Sequence, residues 1–148
     1  MCSLICHRPN CLAMYLKPFV RVDDVSFRTT PAALLRRKGP PLLRAVNDVG
    51  LEAFDYGAVV LRFQACGRLE EVTRRAPVLH LGKLAIPFRA LDAFVLAQDV
   101  ESFERAGFRV SPRFGLAFVP HDPDWVTALA RHCIPTWRAL CGPCPLSA

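Results

Sequence analysis

Lysine is scarce in this chain of 148 residues: three of its 19 cationic side chains are lysine and 16 are arginine. Acidic residues are also in deficit, 13 against 19, which leaves a net charge of +6. The cations are therefore mostly forked, bidentate donors rather than point charges, suited to carboxylates and phosphates. Long apolar runs are missing too. No stretch approaches the ~20 apolar residues of a membrane-spanning helix, so no membrane partner is expected. The chain contains no Gly-x-Ser-x-Gly elbow, phosphate-binding loop, dinucleotide fingerprint or His-Glu-x-x-His pair. Each of those motifs holds a nucleophile, a phosphate or a metal in place. Their absence argues for a protein that is not an enzyme and uses no cofactor. The opening Met1-Cys2-Ser3-Leu4-Ile5-Cys6-His7-Arg8-Pro9 has neither the early positive charge nor the apolar run of a secretion signal. A cytoplasmic location with reduced thiols is the corresponding expectation.

Hydrophobic residues make up 52% of the chain and charged residues 22%, as in ordinary globular domains. The length fits one domain, able to bury roughly two-thirds of its unfolded surface. Residues 1–18 show no clear period and form an N-terminal extension in this reading. Residues 19–132 form a single α+β domain, and 133–148 a C-terminal tail with a short helix. Val25-Ser26-Phe27 reads as a short strand. A helix follows, with Thr30 as N-cap, Pro31 at the first position, and Gly39 then Pro40-Pro41 as stop signals. Strands are expected over 51–56, from Val59 to Phe63 by period-two alternation, and over 69–75, with Gly67 in the intervening hairpin turn. In the second half, residues 78–81 and 84–88 read as a hairpin, and 89–98 as a helical turn or two. Asp99 is expected to cap a helix ending at Gly107. Two short strands, or one bent strand, surround Pro112, and Trp125 opens either a last strand or a helix.

The two halves share signals. Gly39 matches Gly107, Tyr56-Gly57 matches Phe114-Gly115, and Val72-Thr73 matches Val126-Thr127. The predicted fold class is therefore α+β: an antiparallel β-sheet with short helices on one face, built from two tandem half-repeats, about 19–76 and 77–132. A capped helix, Phe54-Asp55-Tyr56-Gly57, a strand ending at Phe63, then Gly67-Arg68-Leu69 and a polar return strand carry a family resemblance. This pattern resembles the small repeat of SmpA-type outer-membrane assembly lipoproteins and of the tandem-repeat β-lactamase inhibitor proteins. It covers residues 24–75 and, loosely, 99–130. The secretion signal of both families and the lipidation site of the first have no counterpart here. The resemblance implies helices on one face of an antiparallel sheet and a binding role.

Seven cysteines gather near the ends. Cys141-Gly142-Pro143-Cys144 resembles a dithiol redox motif, but it follows a predicted helix instead of preceding one, so nothing there lowers a thiol pKa. Cys133, Cys141 and Cys144, with His132 or an N-terminal cysteine as the fourth ligand, are candidate zinc ligands. Cys2, Cys6, His7 and Cys11 are too irregularly spaced to read as a site, Cys66 reads as an exposed turn residue, and His80 and His121 as strand and turn residues.

Two further surfaces are possible. Arg36, Arg37, Lys38, Arg44, Arg62, Arg68, Arg74 and Arg75 form a basic patch if the helix and the sheet rim meet. Such a patch is the basis of a nucleic-acid-binding alternative, although the aromatics fall at core-like positions instead of beside the charge. The preferred reading is a protein-interaction module of bacterial immunity or inhibitor type, with an acidic protein as partner. Its candidate binding residues are Arg62, Arg74, Arg75, Arg113, Phe114 and Trp125, because aromatic and arginine side chains dominate binding hot spots.

Overall fold

The computed structural model describes residues 13–122 and 124–139. Helix α1 (Pro31–Lys38) forms where its end signals place it. The Thr30 hydroxyl accepts the Ala33 N–H, and Gly39, at φ +75°, returns its N–H to the Leu35 carbonyl. The Tyr56 hydroxyl donates to the Gly39 carbonyl at 2.9 Å, tying the helix end to the large sheet. Helix α2 (Phe88–Gln98) is longer than the turn or two expected, because Phe88, Leu91 and Val95 lie on one face and all three are buried. Helix α3 (Cys133–Ala139) closes the described chain.

The strands form two sheets. The smaller holds β1 (Ala13–Lys17), β2 (Arg21–Val22), β3 (Val25–Ser26), β8 (Val78–Leu81) and β9 (Leu84–Pro87). Its order is β3-β2-β1-β8-β9, antiparallel except for β1 and β8, which run parallel. The larger sheet is antiparallel throughout. It holds β4 (Leu43–Val46), β5 (Glu52–Asp55), β6 (Val59–Phe63), β7 (Leu69–Arg75), β10 (Phe103–Arg105), β11 (Phe108–Ser111), β12 (Leu116–Phe118) and β13 (Trp125–Leu129). Their order is β10-β11-β12-β13-β7-β6-β5-β4. Two four-stranded meanders thus meet along β7 and β13, each following a helix, α1 before β4 and α2 before β10. At the junction Thr73 lies opposite Thr127, with their hydroxyl oxygens 2.8 Å apart.

The protein is α+β, as its sequence predicts. Several elements depart from expectation. Asp99 starts no helix; it is the C-cap of α2, and the chain to Gly107 forms β10 and a hairpin turn. Ala106 and Gly107 both have positive φ, +53° and +88°, the geometry of a two-residue type I′ turn. Gly107 is therefore no counterpart of Gly39. Tyr56-Gly57 and Phe114-Gly115, by contrast, occupy the β5–β6 and β11–β12 turns, and Val72-Thr73 and Val126-Thr127 face each other across the central strand pair. The extension expected over 1–18 already contains β1, whose Met14 is fully buried and which lies between β2 and β8. Its first four residues, Ala13-Met14-Tyr15-Leu16, are all apolar or aromatic, so no alternation is visible in the sequence. Cys133, placed in the tail by the sequence reading, is 1% exposed.

The core lies on the inner face of the large sheet. Phe54, Leu61, Val72, Phe118 and Val126 pack there against Leu34 of α1, Leu91 and Val95 of α2, and Met14, Val22 and Leu79 of the small sheet. The outer face carries a smaller cluster, in which Val110, Ala117 and Leu129 lie under Cys133, Ile134 and Trp137 of α3. Among the described residues no helix is long and apolar enough to cross a membrane.

Candidate functional site

Strand alternation sorts side chains between the two faces of the large sheet. Cross-strand register puts Arg62 beside Glu71, and Thr73 beside both Val60 and Thr127, on the outer face. Helix α3 covers only part of that face. Beside it lies a hollow of about 290 Å³, walled by Trp125, Trp137, Phe108 and Val119, with Arg62, Glu71, Thr73, Thr127 and Asp122 supplying the polar groups. The rings of Phe108 and Trp137 meet edge to face at 5.2 Å. The guanidinium of Arg75 lies over the Trp125 ring at 5.5 Å and pairs with Asp124 at 3.3 Å. Arg62 donates to the Thr73 hydroxyl at 3.1 Å and sits 3.6 Å from the Glu71 carboxylate. Burial raises the Glu71 carboxyl above the ordinary carboxylate range; Arg62 opposes that shift without cancelling it.

A second hollow, about 640 Å³, is bordered by the β4–β5 loop at Val49, Gly50 and Leu51, the β6–β7 turn at Gln64 and Cys66, and Thr136 of α3. Glu71 and Trp137 line both hollows, so the two adjoin on this face. The arrangement has aromatic walls, two arginines whose carboxylate partners are on the same face, and hydroxyls between them. Such a surface can seat an apolar side chain and exchange its internal carboxylates for a ligand's.

Three of the predicted binding residues, Arg62, Arg75 and Trp125, come together here. Arg74 does not: it points to the opposite face and pairs with Asp23 at 2.6 Å. Arg113 and Phe114 lie at the β11–β12 turn, where Arg113 donates to the Gln98 carbonyl and Phe114 packs on Phe94 at 5.5 Å. Phe108, Thr73 and Thr127 escaped the sequence reading, whereas Trp137, like Trp125, is a tryptophan that residue type alone marks as a possible interface anchor. The period-two pattern of β7 and β13 put Thr73 and Thr127 on one face, but nothing local revealed that the two strands are neighbours.

The expected basic patch is dispersed. Arg37 pairs with Asp24, Arg44 with Glu52, Arg62 with Glu71, Arg74 with Asp23 and Arg75 with Asp124, and these pairs occupy different faces. His80 stacks on Tyr15 at 4.3 Å, and His121 is exposed in a turn. Of the zinc candidates, Cys141 and Cys144 lie outside the described residues, as do Cys2, Cys6, His7 and Cys11. Burial, reinforced by the neighbouring Glu70, pushes the Cys133 thiol well above its usual range. Cys66 is exposed on the β6–β7 turn. No family model, curated protein or solved structure matches the chain.

Proposed function

We propose that this chain is a non-enzymatic protein-interaction module of immunity or inhibitor type, acting in the cytoplasm, which holds an acidic protein partner on the open outer face of its large sheet. The observation that carries the reading is the hollow beside α3, where Trp125, Trp137 and Phe108 stand next to Arg62 and Arg75 on the large sheet. Aromatic and arginine side chains beside a partly filled pocket are the composition of a binding hot spot. The net charge of +6 favours encounter with an acidic surface. A partner carboxylate that takes the place of Asp124 at Arg75 replaces one charge-assisted hydrogen bond with another, across the interface. Two meanders, each led by a helix and joined at Thr73 and Thr127, support a tandem-repeat origin like that of the inhibitor proteins the sequence resembles.

The nucleic-acid reading is weaker, because five of the arginines it needs are paired with acids and spread over different faces. The test is capture with a tagged full-length chain in its own host at moderate salt, with the eluate examined for both protein and nucleic acid. A single stoichiometric protein, lost when Trp125 is replaced, supports the proposal. Nucleic acid without protein, falling steeply with salt, overturns it.

A further inference from the structure

The outer face holds a second group of side chains that partner binding does not use. Glu70 sits at a bulge in β7: Arg62 pairs with Glu71 and Phe63 with Leu69, so Glu70 is left between the two registers. Its backbone carbonyl accepts the Ala130 N–H at 2.9 Å and the Cys133 thiol at 3.2 Å. Those contacts bring the start of α3 onto the bulge. His132 directs Nε2 at the Glu70 carboxylate, and Cys133 follows it directly in sequence. One oxygen of Glu70, one ring nitrogen of His132 and the sulfur of Cys133 all lie within 4.8 Å of one another. Glu70 is 8% exposed and Cys133 1%.

We propose that Glu70, His132 and Cys133 form a zinc-binding site. The donor set is one carboxylate oxygen, one imidazole nitrogen and one sulfur. Zinc, a borderline-soft ion, takes all three, whereas calcium and magnesium favour oxygen alone. The ligand atoms of a tetrahedral zinc site are about 3.5 Å apart, as its bond lengths of about 2.0–2.3 Å require. The three ligand atoms, all within 4.8 Å of one another, already lie close to that spacing. On binding, the Cys133 S–H bond breaks, the sulfur lone pair bonds to zinc, and the proton leaves to solvent. Carboxylate and thiolate together then balance the two charges of the ion, which offsets the cost of burying them. Glu70 and Cys133 also line the hollow of about 640 Å³, with Glu71, Thr136 and Trp137, so a fourth ligand, water or another exchangeable donor, has room to enter.

The six other cysteines must be separated from this site. A full-length parent with Cys2, Cys6, Cys11, Cys66, Cys141 and Cys144 replaced by serine is stripped with a chelator and titrated with cobalt(II), then zinc. The proposal predicts one cobalt per chain with a sulfur-to-cobalt charge-transfer band, displaced by zinc, and a higher melting temperature with zinc bound. Cys133→Ser in that parent abolishes the band. His132→Ala and Glu70→Gln each weaken binding at least about tenfold, the scale on which loss of even an outer-sphere partner acts. His132, at the partly exposed edge of the cluster, gives a variant expected to fold even if Cys133→Ser does not. Absence of the band from the parent, or unchanged affinity in both His132→Ala and Glu70→Gln, overturns the site. So does a band that requires the six replaced cysteines.

Discussion

Asp99, a buried side chain at the end of α2, gathers three hydrogen bonds: its carboxylate accepts the Ser111 hydroxyl at 2.6 Å and the backbone N–H groups of Glu101 and Arg113 at 2.9 and 3.0 Å. It is 3% exposed, so removing it leaves these donors without an acceptor. Asp99→Ala is expected to cost about 2–4 kcal/mol, the range for orphaning buried partners of a charged group. Chemical denaturation measures this, and Asp99→Asn, which keeps an acceptor oxygen, should lose less. Equal stability of Asp99→Ala and wild type would contradict the role. Glu71 acts in the opposite sense. Burial raises its folded-state pKa, so between the unfolded and folded values the native state binds more protons. Its contribution is fully present below the unfolded value and is lost as pH rises through the folded one. The melting temperature of Glu71→Gln relative to wild type is therefore expected to rise as pH increases through and above the ordinary carboxylate range; a pH-independent difference would sink the assignment. Single residues were legible where their signal was local, as with Thr30 and Gly39 at the ends of α1. Asp99 was read as the cap of a following helix that does not form; its three partners lie along the chain as far as Arg113, and spacing alone does not distinguish a helix cap from a loop hub.

At the scale of elements, the β10–β11 hairpin is the clearest departure from the sequence pattern. Residues 99–107 carry helix-compatible spacing, yet Ala106-Gly107 turns the chain with both φ values positive and sets Arg105 opposite Phe108. Long-range pairing with β11 outweighs the weak helical preference of nine residues. The hairpin makes its own prediction. Ala106→Asn, which supplies the residue type I′ turns favour, should stabilise the protein by about 0.5–1 kcal/mol. A helix at this place would instead be weakened by the change, so a lower melting temperature would restore the helical reading. Strand β4 was invisible for a different reason. All four of its residues are exposed at the sheet edge, so it has no alternation to read. Strand β1 is short, and its parallel pairing with β8 joins residues more than 60 positions apart in sequence, beyond any local signal.

Across the whole molecule, the fold class was legible because β5, β6, β7 and α1 each announce themselves locally and antiparallel meanders follow from short turns. The site was legible only in part. Arg62, Arg75 and Trp125 were identifiable by residue type, but their convergence depends on β7 meeting β13, a contact 54 residues apart at Thr73 and Thr127. The same sheet leaves part of the outer face open beside α3, and the functional account turns on that opening. The most direct test compares capture by three full-length chains: wild type, Trp125→Arg on the open face, and Val100→Arg, which is 95% exposed in the loop after α2. Wild type and Val100→Arg should retain the same stoichiometric protein partner. Trp125→Arg should lose more than about tenfold in affinity, as removal of an aromatic anchor implies. Equal retention by all three chains, or no protein partner for any of them, would contradict the assignment of the outer face as the binding surface.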